Sequence, residues 1–234
     1  MKTHIGSGIN KASVVVSLCD YSGNWPRPWI EAGHTVVQYD LKHGDDVTTL
    51  TGEQVMRDTA TTGTAADTLL GNAPQVLMVL AAPPCTDFSV SGAQYWPKKD
   101  ADGTTAAALA VLDACVRIVN ELEPVYWMLE NPVGRLGKLR PSLGKPWYFQ
   151  PHQYARYAPD KNADLYTKKT GIWSNFEQGL MDAAKDHEAV PIRVCAQGSW
   201  LQKLGGKSKR TKELRSMTPQ GFARAVYLVH TLGR

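Results

Sequence analysis

Apolar residues fall along this chain in two rhythms, and each rhythm names an element. "ASVVVSL" (12–18), "HTVVQYDL" (34–41), "QVLMVLAAP" (75–83) and "VYWMLEN" (125–131) are β-branched or leucine-rich runs of strand length. The last two are nearly unbroken, as strands are when helices cover both faces. Between them, "PWIEAGH" predicts a short helix and "TGEQVMRDTA" one opened by a Thr cap with Glu53 in its first turn. "TTAAALAVLDACVRIVNELEP" (104–124) predicts the longest helix, rich in Ala and Leu and stopped by Pro124. Strands alternating with helices predict right-handed βαβ units and an α/β fold, a mostly parallel sheet with helices on both faces.

In such a sheet, ligands gather at the carboxyl ends of the strands. Here those ends carry polar or reactive side chains: Asp20, Ser22 and Gly23 after the first strand, Asp40 after the second, Pro83, Pro84 and Cys85 after the third, Glu130 and Asn131 after the fourth. A lone cysteine is commonly just a small buried hydrophobe. Two prolines before Cys85 end the strand and present the next side chain outward. A carboxylate closing an apolar strand, as Glu130 does, is costly to bury without a partner. Asp40 reads equally as a helix cap or as the acid that holds a ribose.

Composition narrows the class. The chain has 234 residues, 43% hydrophobic and 21% charged, with a net charge of +4. Residues 203–215, "KLGGKSKRTKELR", hold six basic side chains and one acid, which suits a polyanionic partner or a solvated surface. The four cysteines fit neither a zinc site nor a disulfide framework, and no apolar run has the length of a membrane span. A soluble, cytoplasmic, metal-free monomer is the expectation.

Taken together, the motifs resemble the cytosine-C5 DNA methyltransferase family. "LCDYSGN" is similar to its first motif and "VVQYD" to the second. "HGDDV" is similar to the third, "APPCTDFSVSG" to the fourth, "YWMLENPVGRL" to the sixth and "LRSMTPQGFARA" to the last. The resemblance implies a Rossmann-like fold dependent on S-adenosylmethionine, which Asp20, Ser22, Gly23, Asp40, Asp46, Pro83 and Ser216 would bind. Cys85 would add to C6 of a cytosine flipped out of double-stranded DNA. Glu130 would supply a proton or hydrogen bond at N3, and methyl would pass to C5. "LYTKKTGIWSN" holds the place of the eighth motif and puts Lys169 and Gly171 where the family has arginines. Ser89, Asn131, Arg156, Lys207, Lys209 and Arg210 would contact the acceptor or its phosphates, and residues 86–105, with Lys98 and Lys99, would form a mobile loop.

The pattern departs from the family in places. Asn24 and Trp25 stand where it continues with glycines, and only about 40 residues separate "IWSNF" from "RSMTP". The expected division is a catalytic domain at 1–175, a short basic recognition insert at 176–211 and a returning helix at 212–234. Two alternatives remain open: a DNA-binding relative without turnover, and an enzyme of this fold with a modified donor or an RNA or nucleotide acceptor.

Overall fold

The structure is a computed structural model that describes residues 4–5, 13–60, 75–195, 198–202, 204 and 208–232; Lys207, an expected DNA contact, lies outside them. Seven strands, β1 His4–Ile5, β2 Ser13–Leu18, β3 Thr35–Tyr39, β4 Gln75–Ala81, β5 Tyr126–Pro132, β6 Trp147–Phe149 and β7 Thr170–Ser174, form one sheet in the order β1-β3-β2-β4-β5-β7-β6. The central strands β3, β2, β4 and β5 pair in parallel, as their unbroken apolar runs predict. At the edges the pairing turns antiparallel: β1 against β3, and β7 against both β5 and β6.

Side-chain alternation sends each central strand into two cores. Val14, Val16 and Leu18 pack with Val55 of helix α2 (Gly52–Ala60) and with Leu112, Cys115 and Ile118 of helix α4 (Thr104–Leu122). Val15, Met78 and Met128 face the other way, onto Trp29 of helix α1 (Arg27–Glu31) and Phe222 and Val226 of helix α7 (Gln220–Leu232). The intervening helices are α3 (Trp96–Ala101), α5 (Gln178–Ala183) and α6 (Lys209–Ser216), and a small hairpin joins Val194–Cys195 to Gly198–Ser199. Thr51 caps α2 as expected, its hydroxyl accepting from the Gln54 N–H. Among the described residues no helix is long and apolar enough to cross a membrane.

Helix α7 is seated by aromatic stacking and by a borrowed cap. Phe222 lies flat on Phe149, ring centroids 3.9 Å apart. The Gly221 N–H in its first turn donates to Asp164 at 2.6 Å, which satisfies one of the helix's orphan donors. Gly221 has to be glycine, since a Cβ there would stand 2.3 Å from the Tyr154 carbonyl oxygen. Burial pushes the Asp164 carboxyl up to about 6, while the Gly221 N–H and the charge of Arg193 pull it down.

A carboxyl raised on folding favours the fold fully below its unfolded value, about 3.9, and that contribution is lost as pH rises through about 6. Asp164→Asn keeps an acceptor for Gly221 without the ionisation. Its stability relative to the parent is expected to improve by about 1–3 kcal/mol from pH 4 to pH 7, read from urea midpoints. Parallel pH curves for the two proteins would show that Asp164 is not titrating in this window.

Candidate active site

The β4–β5 ladder brings the candidate nucleophile and acid together. Ala81 pairs with Leu129, so the chain leaving β4 runs beside the last residues of β5. Pro83 and Pro84 then release it from the sheet, and the Cys85 carbonyl accepts from Phe88 N and Ser89 N, closing a tight turn. Phe88 is fully buried and anchors that turn. The turn presses on the segment after β5: Arg135 N donates to the Phe88 carbonyl at 2.9 Å, and a Cβ on Gly134 would fall 1.8 Å from the same oxygen. Only glycine permits that approach.

Glu130 is 4% exposed. Its Oε1 lies 3.4 Å from Nζ of Lys168, whose side chain is 10% exposed. The Cys85 thiol is pushed up by burial and further by the charge of Glu130, while Lys168 pulls it down. The thiol is therefore held in its neutral form, with one nearby cation that favours the thiolate.

Strand parity explains why Lys168 and not Lys169 is the partner. Glu130 pairs with Ile172, so even-numbered residues of β7 share its face. Lys168 precedes the strand in that phase, and Lys169 falls in the other: its ammonium sits 4.9 Å from the centre of the Tyr148 ring. Of the two lysines in this segment, Lys168 and not Lys169 thus stands beside Glu130.

Asn131 is fully buried, and its amide donates to the Pro83 carbonyl at 3.2 Å, which ties the cysteine loop to β5. Ser89 is half-buried beside Ser91, bridged through its backbone to Gly134. Arg156 is exposed, but its guanidinium donates to the Tyr157 hydroxyl and the Ala184 carbonyl. Lys209 and Arg210 are exposed in the first turn of α6, where their charges add to the positive end of the helix dipole.

Residues 86–105, expected as a mobile loop, are instead folded into a 3-10 turn and α3 and latched down. Arg135 forks onto both oxygens of Asp100 at 2.7 Å, donates to Thr105 and to the Asp87 carbonyl, and lies over Trp96. Lys99 pairs with buried Asp87 at 2.8 Å and donates to the Thr86 carbonyl. Lys98 stays exposed beside Asp102.

The expected cofactor residues divide. Asp20 is buried and accepts from Ser22 N, Ser22 Oγ and Trp25 N; burial raises its pKa, and it shapes the turn without facing a ligand. Pro83 is buried with its carbonyl on Asn131, and the Ser216 hydroxyl closes onto the Glu213 carbonyl. Asp46 is exposed, held by Thr48. Asp40, half-exposed at the end of β3, caps the Lys42 N–H. Ser22 and Gly23 do meet in a pocket of about 520 Å³ with Tyr21, Arg27, Gln38 and His43, which Asp40 and Asp46 do not line. Gly23 turns with φ +62 directly against the Gln38 amide, and Gln38 Nε2 donates to the Asp20 carbonyl. The last motif reaches this side through Asn24 to the Thr218 carbonyl and Lys42 to Glu213.

Sequence reading missed Lys168, Arg135, Gln38 and His43. For Lys168 a signal existed, the phase of "TKKTGIW" relative to Ile172; for the others none was available, because their partners lie far along the chain.

A cysteine and a carboxylate thus lie at the carboxyl edge of the parallel sheet, with a pocket at the neighbouring strand end. Residues 51–140, which contain both Cys85 and Glu130, match the family described as C-5 cytosine-specific DNA methylase. No curated protein matches the chain. Among solved structures it is similar to one described as a DNA modification methyltransferase encoded within a prophage of E. coli, with 15% identity and a TM-score of 0.41. That similarity covers 84% of this chain, which spans 55% of the other's length.

The charges around Cys85 are testable without turnover. Lys168→Met is expected to move the pH profile of Cys85 alkylation by iodoacetamide upward, and Glu130→Gln downward. The readout is the mass of the Cys85 peptide. Superimposable profiles would show that neither charge reaches the thiol.

Proposed function

We infer that the protein methylates C5 of cytosine in DNA through a covalent Cys85 adduct, with S-adenosylmethionine as donor. The observation that carries this reading is the buried Lys168–Glu130 pair set against the Cys85 thiol, inside the segment that matches the methylase family. A buried ion pair contributes little stability over an apolar replacement, so its retention beside a nucleophile supports a chemical role.

Cytosine C5 is a weak nucleophile until a thiolate adds to C6. Loss of the Cys85 proton is aided by Lys168, and the new S–C6 bond pushes charge onto N3 and O2 of the ring. Glu130 holds the N3 side by a hydrogen bond or proton, which turns the ring into an enamine whose C5 attacks an electrophilic methyl group. Removal of the C5 proton then expels Cys85 as thiolate and restores aromaticity. Because C6 is shielded inside stacked duplex, the target base leaves the stack first.

The pocket at Tyr21–Gly23 has the volume and mixed polarity of a small-molecule site. Ser22, the backbone at Gly23, Gln38 and His43 would hold the donor there, whose sulfonium supplies the methyl cation equivalent. Asp40 stands next to this pocket in the chain, available for a ribose. The basic first turn of α6, with Lys209 and Arg210, supports contact with phosphates.

Labelled methyl from S-adenosylmethionine is expected to appear as 5-methylcytosine in double-stranded DNA. Cys85→Ser should lower incorporation by at least about 10³-fold, the scale of losing a covalent nucleophile, while DNA binding persists. Turnover retained in that variant rejects the covalent route; no label with the parent protein rejects the donor or the acceptor.

A further inference from the structure

Between Glu130 and Asp160 the chain has no acidic residue and five basic ones, Arg135, Lys138, Arg140, Lys145 and Arg156. The three arginines are engaged internally: Arg135 on Asp100, Arg140 on Asp113, Arg156 on the Ala184 carbonyl. Lys138 and Lys145 are exposed, as is Lys169 across the β6–β7 ladder. In this setting Tyr148 is 42% exposed, whereas its neighbours Trp147 and Phe149 are buried in the core.

Tyr148 is held in place. It pairs with Gly171, which pairs in turn with Asn131. A Cβ at Gly171 would stand 3.2 Å from Cε1 of the Tyr148 ring, so the ring rests against bare backbone that any other residue would crowd. The Lys169 ammonium lies 4.9 Å from the ring centre. Two ladder steps separate Tyr148 from Asn131, about 10 Å, which puts the ring level with the end of β5, on the sheet face opposite the Glu130 side chain.

We propose that Tyr148 and Lys169 form a nucleic-acid subsite beside the target cytosine: Lys169 moves from the ring to a backbone phosphate, and the uncovered ring stacks an unpaired base. A fixed aromatic beside an exposed lysine, on a stretch free of acids, is the pairing by which single-stranded segments are bound. The cation over the ring keeps the exposed aromatic covered until DNA arrives. The subsite rests on the DNA reading above and adds to it a place for the base left unpaired when cytosine flips, the bulge that a base-flipping enzyme must manage.

The test is fluorescence anisotropy on the full chain, with a mixed-sequence duplex and the same duplex carrying one extrahelical base, across a salt series. The parent is expected to prefer the bulged duplex. Tyr148→Ala should lose about 10-fold on it, while Tyr148→Phe keeps the preference. Lys169→Ala should reduce the slope of log affinity against log salt by about 0.9. Both side chains are exposed, and melting curves verify that the variants are folded. Unchanged affinity in Tyr148→Ala, or an unchanged slope in Lys169→Ala, overturns the subsite while leaving methylation untouched. A parent that binds neither duplex overturns the subsite and the DNA reading together.

Discussion

Lys168 and Glu130 can remain charged together in a nearly dry site only if the backbone holds them in register. Removing either partner strands a buried charge, at a cost of about 3–5 kcal/mol. The β5–β7 ladder supplies that register, fixing Ile172 opposite Glu130 and delivering Lys168 two residues earlier on the same face. The antiparallel edge of the sheet is thus part of the chemistry. A parallel β7 would enter from the opposite end and leave the acid without its cation. Both charges reach the Cys85 thiol, Lys168 favouring its thiolate and Glu130 opposing it.

Around this pair the loops are held more firmly than the family resemblance implies. Asn131 ties the cysteine turn to β5, Gly134 lets Phe88 sit against the following segment, and Arg135 gathers Asp87, Asp100 and Thr105 with one guanidinium. Bidentate arginine–carboxylate contacts are among the stronger surface interactions. Any movement of residues 86–105 must therefore break the Arg135–Asp100 fork.

The central sheet was legible because its strands are apolar on both faces, a pattern that composition alone carries. Cys85 and Glu130 were legible because strand ends in a parallel sheet are where such groups meet. Lys168 was misplaced by one residue: a short antiparallel strand gives few positions from which to read phase, and one step reverses every side chain. Asp20, Asn131 and Arg156 look like ligand contacts in sequence and are hydrogen-bonded internally in the fold. Their partners, the Trp25 N–H and the Pro83 and Ala184 carbonyls, are backbone groups whose positions no side-chain pattern encodes.

The seating of α7 sets the order in which the molecule assembles. The face that Trp25 and Trp29 occupy is completed by Phe222, Ala223, Ala225 and Val226. The tie between Asn24 and Thr218 spans 194 residues. On a ribosome adding roughly 5–20 residues per second, that side of the sheet stays open until the segment between these partners has been made. The face formed with α2 and α4 can close much earlier. The two faces of the sheet are thus completed at different points of synthesis, the one with α7 last.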